Sequence, residues 1–387
     1  MSKKIIVYSF ITVLVTATIC SLFGQLLLHI VAVNHQFLWL LLASPLLLFF
    51  TKKMDQLFRI HHVGMNLLIE QSRSTPYQPF REIYFTIFLF VNTLLAHLTG
   101  MSVGREGVAV QIGGSVGHYM AKQDVSAYEK SFLIKLGMIA GFAALFQTPL
   151  AACLFIIEVV GGRHNYSWRS VLELVVCILF AFISSTWSHL LGLEKFYVAV
   201  TPDIYVHTLI GYSILACCVT GLGMAFVLLQ REIKKHTKQL PSLIYGLLAI
   251  VILILFITNG RYNSLGTNLI ATAFTTSEIY STDFLYKLVL TATCTSIDFK
   301  GGEITPLFAI GASFGVVFAT LFSLPILACA AIGYCTMFGA STRTYIAPAL
   351  LGLEVFGWQM MLLMVIPCGI IYLCNKKYSI YEAMIVN

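Results

Sequence analysis

Charged residues are scarce in this sequence. Only 11% of the 387 residues are Asp, Glu, Lys or Arg, whereas 58% are hydrophobic, and the mean hydropathy is +0.86. Soluble globular chains carry about a quarter charged residues. The shortage excludes an ordinary water-soluble domain, and the composition predicts an all-α polytopic membrane protein.

The sequence also lacks paired cysteine motifs. Its ten cysteines include no C-x-x-C pattern, and most of them lie inside apolar runs, such as Cys20, Cys153 and Cys177. Cysteines of this kind usually serve as small apolar side chains. We therefore expect no metal centre, no redox centre and no cofactor.

A single basic face, as a nucleic-acid-binding protein would need, is missing as well. The formal net charge is +7, but the basic residues form clusters in short gaps between apolar runs. The clusters are Lys3-Lys4, Lys52-Lys53 with Arg59, residues 231–238, and Lys376-Lys377. Such clusters mark cytoplasmic loops. We predict a multi-pass protein of the cell membrane with both termini in the cytoplasm, bound to lipid and not to nucleic acid.

The long apolar runs differ in length. They cover residues 5–33, 37–50, 83–98, 171–191, 205–229, 244–258 and 360–373. A straight membrane-spanning helix needs about 20 residues, so these lengths predict tilted and broken helices. The first run is longer than the apolar core of a signal peptide, and no cleavage site stands out. We expect it to be retained.

One carboxylate lies deep in this apolar sequence, in the motif Gly104-Arg105-Glu106-Gly107. An ionisable residue at membrane depth usually marks a transport pathway or a partner. The flanking glycines suggest a helix that begins at the motif, and a helix N-terminus attracts anions. The alternative from these residues alone is that Glu106 forms an ion pair with Arg105.

The two halves of the chain resemble each other. At an offset of 198, Gly104, Ile112, Gly113, Ser115 and Gly117 match Gly302, Ile310, Gly311, Ser313 and Gly315. Nearer the end of each half, Ile157-Glu158-Val159 resembles Leu353-Glu354-Val355. We predict two inverted repeats, residues 1–195 and 196–387, that place broken helices around a shared substrate.

These motifs resemble the CLC family of chloride channels and anion/proton antiporters. Besides the Glu106 motif, the similar segments are residues 146–158, Gly301-Gly302-Glu303-Ile304-Thr305-Pro306 and Ser379-Ile380-Tyr381-Glu382. They occur in the family's order and cover almost the whole chain. The resemblance implies a CLC-type inverted-repeat architecture and a homodimer with one pathway per subunit. The chain ends six residues after Tyr381, so we expect no soluble regulatory domain.

Three departures from the chloride-type pattern are similar to the family's fluoride/proton antiporter branch. Val108 follows the Glu106 motif where proline is usual, Met65 replaces a serine in the first selectivity loop, and the second anion loop reads Glu303-Ile304-Thr305. Val159 also replaces the inner glutamate of many chloride exchangers, so the sequence assigns no inner route for the proton.

The resemblance implies a role for each motif residue. Glu106 is expected to carry the proton and to act as the gate. The expected anion-binding residues are Tyr381, Thr305, Ile304, Glu303, Met65, Asn66, Gly107 and Val108. Tyr381 and Thr305 would donate hydroxyl groups, whereas Ile304 and Glu303 would offer backbone N–H groups. Tyr381 could instead anchor at the headgroups, Thr305 or Asn66 could cap a helix, and Met65 could be filler.

We therefore expect a secondary transporter that exports fluoride in exchange for protons and so confers fluoride resistance. The alternative is a passive anion channel of the same fold. An enzyme is not expected. Although residues 113–117 and 311–315 both read Gly-x-Ser-x-Gly, the hydrolase motif needs a strand before it, and here the motif lies in apolar repeats.

Replacing Met65 by serine tests the first selectivity loop. We expect Met65→Ser to raise chloride permeation, because a hydroxyl hydrogen-bonds chloride and a thioether does not. Anion efflux from liposomes loaded with chloride or fluoride measures the effect. An unchanged selectivity would remove this loop from the explanation.

Overall fold

The computed structural model describes residues 3–58, 68–69, 72, 81–121, 125–161, 168–275 and 278–381. Regular structure within them is helical. In chain order the α-helices are α1 (Lys3–Gln36), α2 (Ser44–Phe58), α3 (Arg81–Leu98), α4 (Glu106–Met120), α5 (Ala127–Phe146), α6 (Pro149–Val160), α7 (Trp168–Leu190), α8 (Val206–Gln239), α9 (Leu243–Ile257), α10 (Thr267–Phe274), α11 (Asp283–Ser296), α12 (Ile304–Phe322), α13 (Ile326–Thr342), α14 (Ala347–Phe356), α15 (Trp358–Leu363) and α16 (Val365–Cys374).

The helices have the uneven lengths that the sequence predicts. Four described helices contain a segment long and apolar enough to cross a membrane: Lys3–Gln36, Val171–Leu190, Val206–Gln239 and Ile304–Phe322. The first and third have 34 residues each, about 51 Å of helix against a hydrocarbon core of about 30 Å. Such helices fit a bilayer by tilting. Many large apolar side chains face outward, as lipid contact requires.

Two of the predicted apolar runs are not single helices. Residues 37–50 divide into a short 3₁₀ helix, Leu38–Ala43, and the start of α2. Residues 360–373 divide between α15 and α16 at Met364. Pro367 lies in the first turn of α16, where its missing N–H is tolerated.

Glycines let two pairs of helices pack with their backbones in contact. In the first pair, α4 with α5, a Cβ on Gly113 would overlap the carbonyl of Gly137, and a Cβ on Gly137 would overlap that of Gly113. In the second pair, α12 with α13, Gly311 and Gly333 have the same relation. Small residues serve this purpose in membrane helices. The Gly-x-Ser-x-Gly segments therefore belong to helix packing.

The two halves of the chain meet through a backbone exchange. Gly104 donates its N–H to the carbonyl of Gly302, and Gly302 donates to the carbonyl of Gly104 at 2.9 Å. The pair forms an isolated antiparallel bridge. Equivalent residues that bond to each other in both directions are what a two-fold axis produces.

A second reciprocal contact lies between α6 and α14. Glu354 accepts hydrogen bonds from the backbone N–H groups of Leu150 and Ala151, both at 2.9 Å. Glu158 accepts them from Ile346 and Ala347 at 2.9 and 2.8 Å, and also from Tyr345. Each glutamate therefore occupies the N-terminus of the other repeat's helix, where a negative charge is stabilised.

The architecture is the inverted repeat that the sequence predicts. We propose that the repeats are residues 1–195 and 196–387. The boundary falls in the non-helical segment between α7 and α8, and both reciprocal contacts join one repeat to the other.

Substituting Gly137 tests the close packing of α4 and α5. We expect Gly137→Ala to lower the free energy of unfolding by about 1–3 kcal/mol, because the added methyl group meets backbone that cannot move aside. A thermal melt of the detergent-solubilised protein measures the loss. Gly221→Ala in α8 is the matched control, since nothing lies within 4 Å of the added carbon. Equal melting temperatures for the two variants would contradict the packing described here.

Candidate functional site

Two helix N-termini face each other at the bridge between the repeats. Helix α4 begins at Glu106, two residues after Gly104, and α12 begins at Ile304, two residues after Gly302. The first N–H groups of a helix have no partner within the helix and carry partial positive charge. Two such ends together form a site for an anion.

The Glu106 carboxylate occupies this site. Glu106 is buried, with 1% of its surface exposed. Its Oε1 accepts hydrogen bonds from the backbone N–H of Thr305 at 2.8 Å and from the Thr305 hydroxyl. Its Oε2 is buried without a hydrogen-bond partner. The side chain from the start of one helix therefore lies at the start of the other, held by one of its two oxygens.

Glycine is required on both sides of this carboxylate. A Cβ on Gly104 or on Gly302 would overlap Oε2 of Glu106. A Cβ on Gly302 would also lie only 2.9 Å from the backbone nitrogen of Gly107. These two glycines therefore make room for the carboxylate as well as for the backbone bridge.

Among the predicted anion-binding residues of the second loop, Thr305 makes the contact. Both its N–H and its hydroxyl bond to Glu106, so its hydroxyl does not cap its own helix. Ile304 is the first residue of α12 and Glu303 precedes it. The structure therefore places Glu303, Ile304 and Thr305 together at the start of α12, beside the Glu106 carboxylate.

The side chain of Glu303 has a position that the sequence does not reveal. Its Oε1 lies 3.5 Å from Nε2 of Gln230 in α8, which donates a closer bond to Thr295 at 2.6 Å. The charges of Lys234 and Glu106 both act on the Glu303 carboxylate. A second, partly buried carboxylate therefore lies within electrostatic reach of the first, beside the basic end of α8.

Tyr381 is buried against the same region. Only 7% of its surface is exposed, and its ring lies 6.1 Å from that of Phe155. The charges of Glu303 and Glu106 both act on its phenol. Ser379 fixes the segment by bonding to the carbonyl of Thr342 at 3.0 Å. This burial excludes the alternative that Tyr381 anchors the chain at the headgroups.

The remaining predicted site residues stand apart from these contacts. Gly107 lies against the backbone of Gly301 and Gly302. Val108 is buried in an apolar cluster with Phe23, so its side chain packs in the core. Met65 and Asn66 lie outside the described residues.

Arg105 does not form an ion pair with Glu106 in the structure. Its guanidinium lies over the ring of Phe146, 5.6 Å from the centroid. Phe146 in turn contacts Phe308, which stacks on Tyr334 at 4.0 Å. Arg105 is therefore held against an aromatic face rather than by a carboxylate.

His97 is a satisfied buried histidine. One ring nitrogen lies 2.5 Å from the Ser264 hydroxyl, and the other lies 3.4 Å from the Gly104 carbonyl. Lys287, also buried, donates to the carbonyls of Ser264 and Tyr262 at 2.7 and 3.0 Å. The loop that precedes Glu106 is thereby joined to the loop between α9 and α10.

The site offers amide and hydroxyl donors, two carboxylates and a phenol. Within the described part of the chain, no group of three or more His, Cys, Asp or Glu residues has the arrangement of a metal site. The sequence motifs predict Glu106, Thr305 and Tyr381 as site residues. The side chains of Glu303 and Gln230 were missed, because neither position in the sequence indicates where its side chain points.

Comparison with known proteins identifies the same fold. A solved structure described as a CLC-type fluoride/proton antiporter superposes with a TM-score of 0.88 at 37% identity, over 97% of this chain and 96% of that one. A slow cyanobacterial Cl⁻/H⁺ antiporter gives a TM-score of 0.85 at 20% identity, over 100% of this chain and 98% of that one, which supports the fold alone.

Curated relatives agree with this match. A chloride/fluoride channel protein of Pseudomonas syringae pv. tomato is 29% identical over 84% of this chain and 73% of its own length. The H⁺/Cl⁻ exchange transporter ClcA of Salmonella typhi is 31% identical over 70% of this chain and 61% of its own length. The chain thus spans about three-fifths of that exchanger.

The family model for voltage-gated chloride channels matches residues 46–376. This range contains the Glu106 motif, the second anion loop and both reciprocal contacts between the repeats. The chain belongs to the CLC family of anion channels and transporters.

Proposed function

We propose that this protein exports fluoride in exchange for protons across the cytoplasmic membrane. The observation that carries the proposal is the Glu106 carboxylate, which bonds to the N–H and hydroxyl of Thr305 at the start of α12. A transported anion would use the same donors. Glu106 and the anion therefore compete for one site.

Protonation of Glu106 decides this competition. The ionised carboxylate is attracted to the positive helix ends, and the protonated acid loses that attraction. Its Oε2 has no hydrogen-bond partner, so a proton can bind there without displacing a donor. An anion then enters as the acid leaves, which couples the movement of the two ions.

Fluoride suits these donors. It is a small, strong hydrogen-bond acceptor, and charge-assisted bonds are shorter than neutral ones. The Thr305 N–H and hydroxyl converge on one atom of Glu106, as they would on a small anion. The similarity to a fluoride/proton antiporter over 97% of the chain supports fluoride over chloride and exchange over a passive channel.

Glu303 is our candidate for the inner proton acceptor. It is partly buried, near Glu106, Lys234 and the Tyr381 phenol. Val159, which replaces the inner glutamate of chloride exchangers, is itself buried among apolar residues. A proton released from Glu106 could therefore reach Glu303 and leave along the basic end of α8.

We also propose how the protein is oriented in the membrane and how it assembles. The basic clusters support cytoplasmic termini in the cell membrane, with fluoride resistance as the benefit. We also propose a homodimer with one pathway per subunit. Residues 151–160 and 350–358, which we propose as the dimer surface, are both mostly buried within the chain, whereas Trp358 at the end of the second segment is 63% exposed.

Replacing Glu106 by glutamine tests the gate. We expect Glu106→Gln to lower proton transport by about 100-fold or more, since no titratable carboxyl remains in the site. The measurement follows fluoride with an electrode and external pH together, in liposomes with the potential clamped. The exposed Glu194→Gln is the control. Uphill fluoride movement driven by a pH gradient in Glu106→Gln would exclude the mechanism, and wild-type flux without proton movement would indicate a channel.

Replacing Glu303 by glutamine tests the inner proton acceptor. The amide keeps the size of the side chain and its contact with Gln230 but cannot carry a proton, so we expect proton uptake per fluoride to fall at least about tenfold. Glu232→Gln, an exposed carboxylate on α8, should behave as wild type. A normal proton-to-fluoride ratio in Glu303→Gln would assign the inner route to another group.

A further inference from the structure

The ion pair between Asp55 and Lys300 lies outside the site already described. Nζ of Lys300 is 2.7 Å from Oδ2 of Asp55, and the side chains are 9% and 21% exposed. Oδ1 of Asp55 is buried without a partner. Buried ion pairs cost desolvation energy and contribute little net stability. Because its effect on net stability is small, we look for the function of this pair in fixing a local conformation.

Lys300 lies beside the backbone bridge between the two repeats. Lys300 lies two residues before Gly302, so their Cα atoms are at most about 7 Å apart. Gly302 forms the bridge to Gly104, and α12 begins two residues later. A movement of Lys300 therefore changes the place of the helix end that binds the Glu106 carboxylate.

The segment around Lys300 needs such a fixed point. It connects α11 to α12 without helix, through residues 297–303, and it contains two adjacent glycines. Asp298 at its start has the left-handed backbone φ of 79°. Glycines leave the backbone free to adopt many conformations. A side chain held from outside the segment removes part of that freedom.

Asp55, in the first repeat, is the residue that binds the Lys300 side chain. It lies in α2, which ends at Phe58, six residues before the predicted selectivity loop at Gly64. The pair thus joins the helix that leads to the first predicted anion loop with the segment that leads to the second. We propose that the Asp55–Lys300 ion pair is a positioning device that holds the N-terminus of α12 against that of α4, which sets anion affinity and proton coupling.

A neighbouring pair offers a matched control. Lys52 and Asp298 come from the same two segments, but their charged atoms are 4.0 Å apart and their side chains are 27% and 54% exposed. An exposed pair of this kind has little energetic effect. Lys52→Met therefore removes a charge nearby without releasing the loop.

The test compares Lys300→Met, Asp55→Asn and the exchanged pair Asp55→Lys with Lys300→Asp. We expect each single variant to weaken fluoride binding and to lower protons moved per fluoride, both by about 2- to 30-fold. The exchanged pair should recover most of each loss, and Lys52→Met should match wild type. Isothermal titration with fluoride and with chloride measures affinity in detergent, and the liposome assay measures the ratio.

The two single substitutions also separate positioning from simple electrostatics. Lys300→Met removes a positive charge and Asp55→Asn removes a negative one, so a through-space effect would shift anion affinity in opposite directions. Loss of positioning lowers anion affinity in both variants. Opposite shifts, unchanged single variants or an exchanged pair without recovery would each overturn the proposal. Asp55→Asn, which is nearly isosteric, carries the test if Lys300→Met does not fold.

The inference rests on the proposed transport function only through the proton ratio. If wild-type protein moves anions without protons, the antiport proposal fails, and the affinity measurements still decide the role of the ion pair. If wild-type coupling is present and the single variants bind and couple normally, antiport stands and the positioning role is wrong.

Discussion

The backbone bridge between Gly104 and Gly302 is the constraint on which the pathway depends. It exchanges hydrogen bonds between equivalent residues of the two repeats, in a region where no side chain beyond hydrogen fits. It therefore brings two helix N-termini together, and two positive helix ends repel each other. A negative group between them relieves that repulsion. Occupation of the site by a carboxylate or an anion thus follows from the fold itself.

Because the site favours a negative charge, we propose that the Glu106 carboxylate and the transported anion occupy it in turn. Under the proposed mechanism, a transported anion would use the Thr305 donors that the Glu106 carboxylate occupies, and both cannot be present on them at once. Binding of a proton to Glu106 must then strengthen anion binding, and anion binding must strengthen protonation, since coupling between two sites is reciprocal. Exchange needs no large domain movement under this scheme, only the departure and return of one side chain.

Much of the fold could be predicted from the sequence, and the site only in part. The glycine motifs, the repeat and Glu106 are visible because they depend on local residue types at fixed spacing. The direction of the Glu303 side chain is not visible, since it lies immediately before a helix and depends on Gln230 in α8. The pairing of Asp55 with Lys300 joins positions 245 residues apart, and no local pattern encodes such a contact. Long-range contacts of single side chains are the part that required the structure.

Glu106, Glu158 and Glu354 each lie at a helix N-terminus, and their hydrogen bonds favour Glu106 as the proposed gate. Glu158 accepts from three backbone N–H groups, and Glu354 accepts from two, one on each oxygen. Glu106 has both of its donors on one oxygen, and they come from a single residue, Thr305. Its second oxygen has no partner. Removal of Glu158 would leave three backbone N–H groups without a partner and removal of Glu354 would leave two, whereas removal of Glu106 would leave one, because the Thr305 hydroxyl can rotate to another acceptor. Glu158 and Glu354 therefore fix the contact between the repeats, and Glu106 is the one of the three that we propose to leave its helix end during transport.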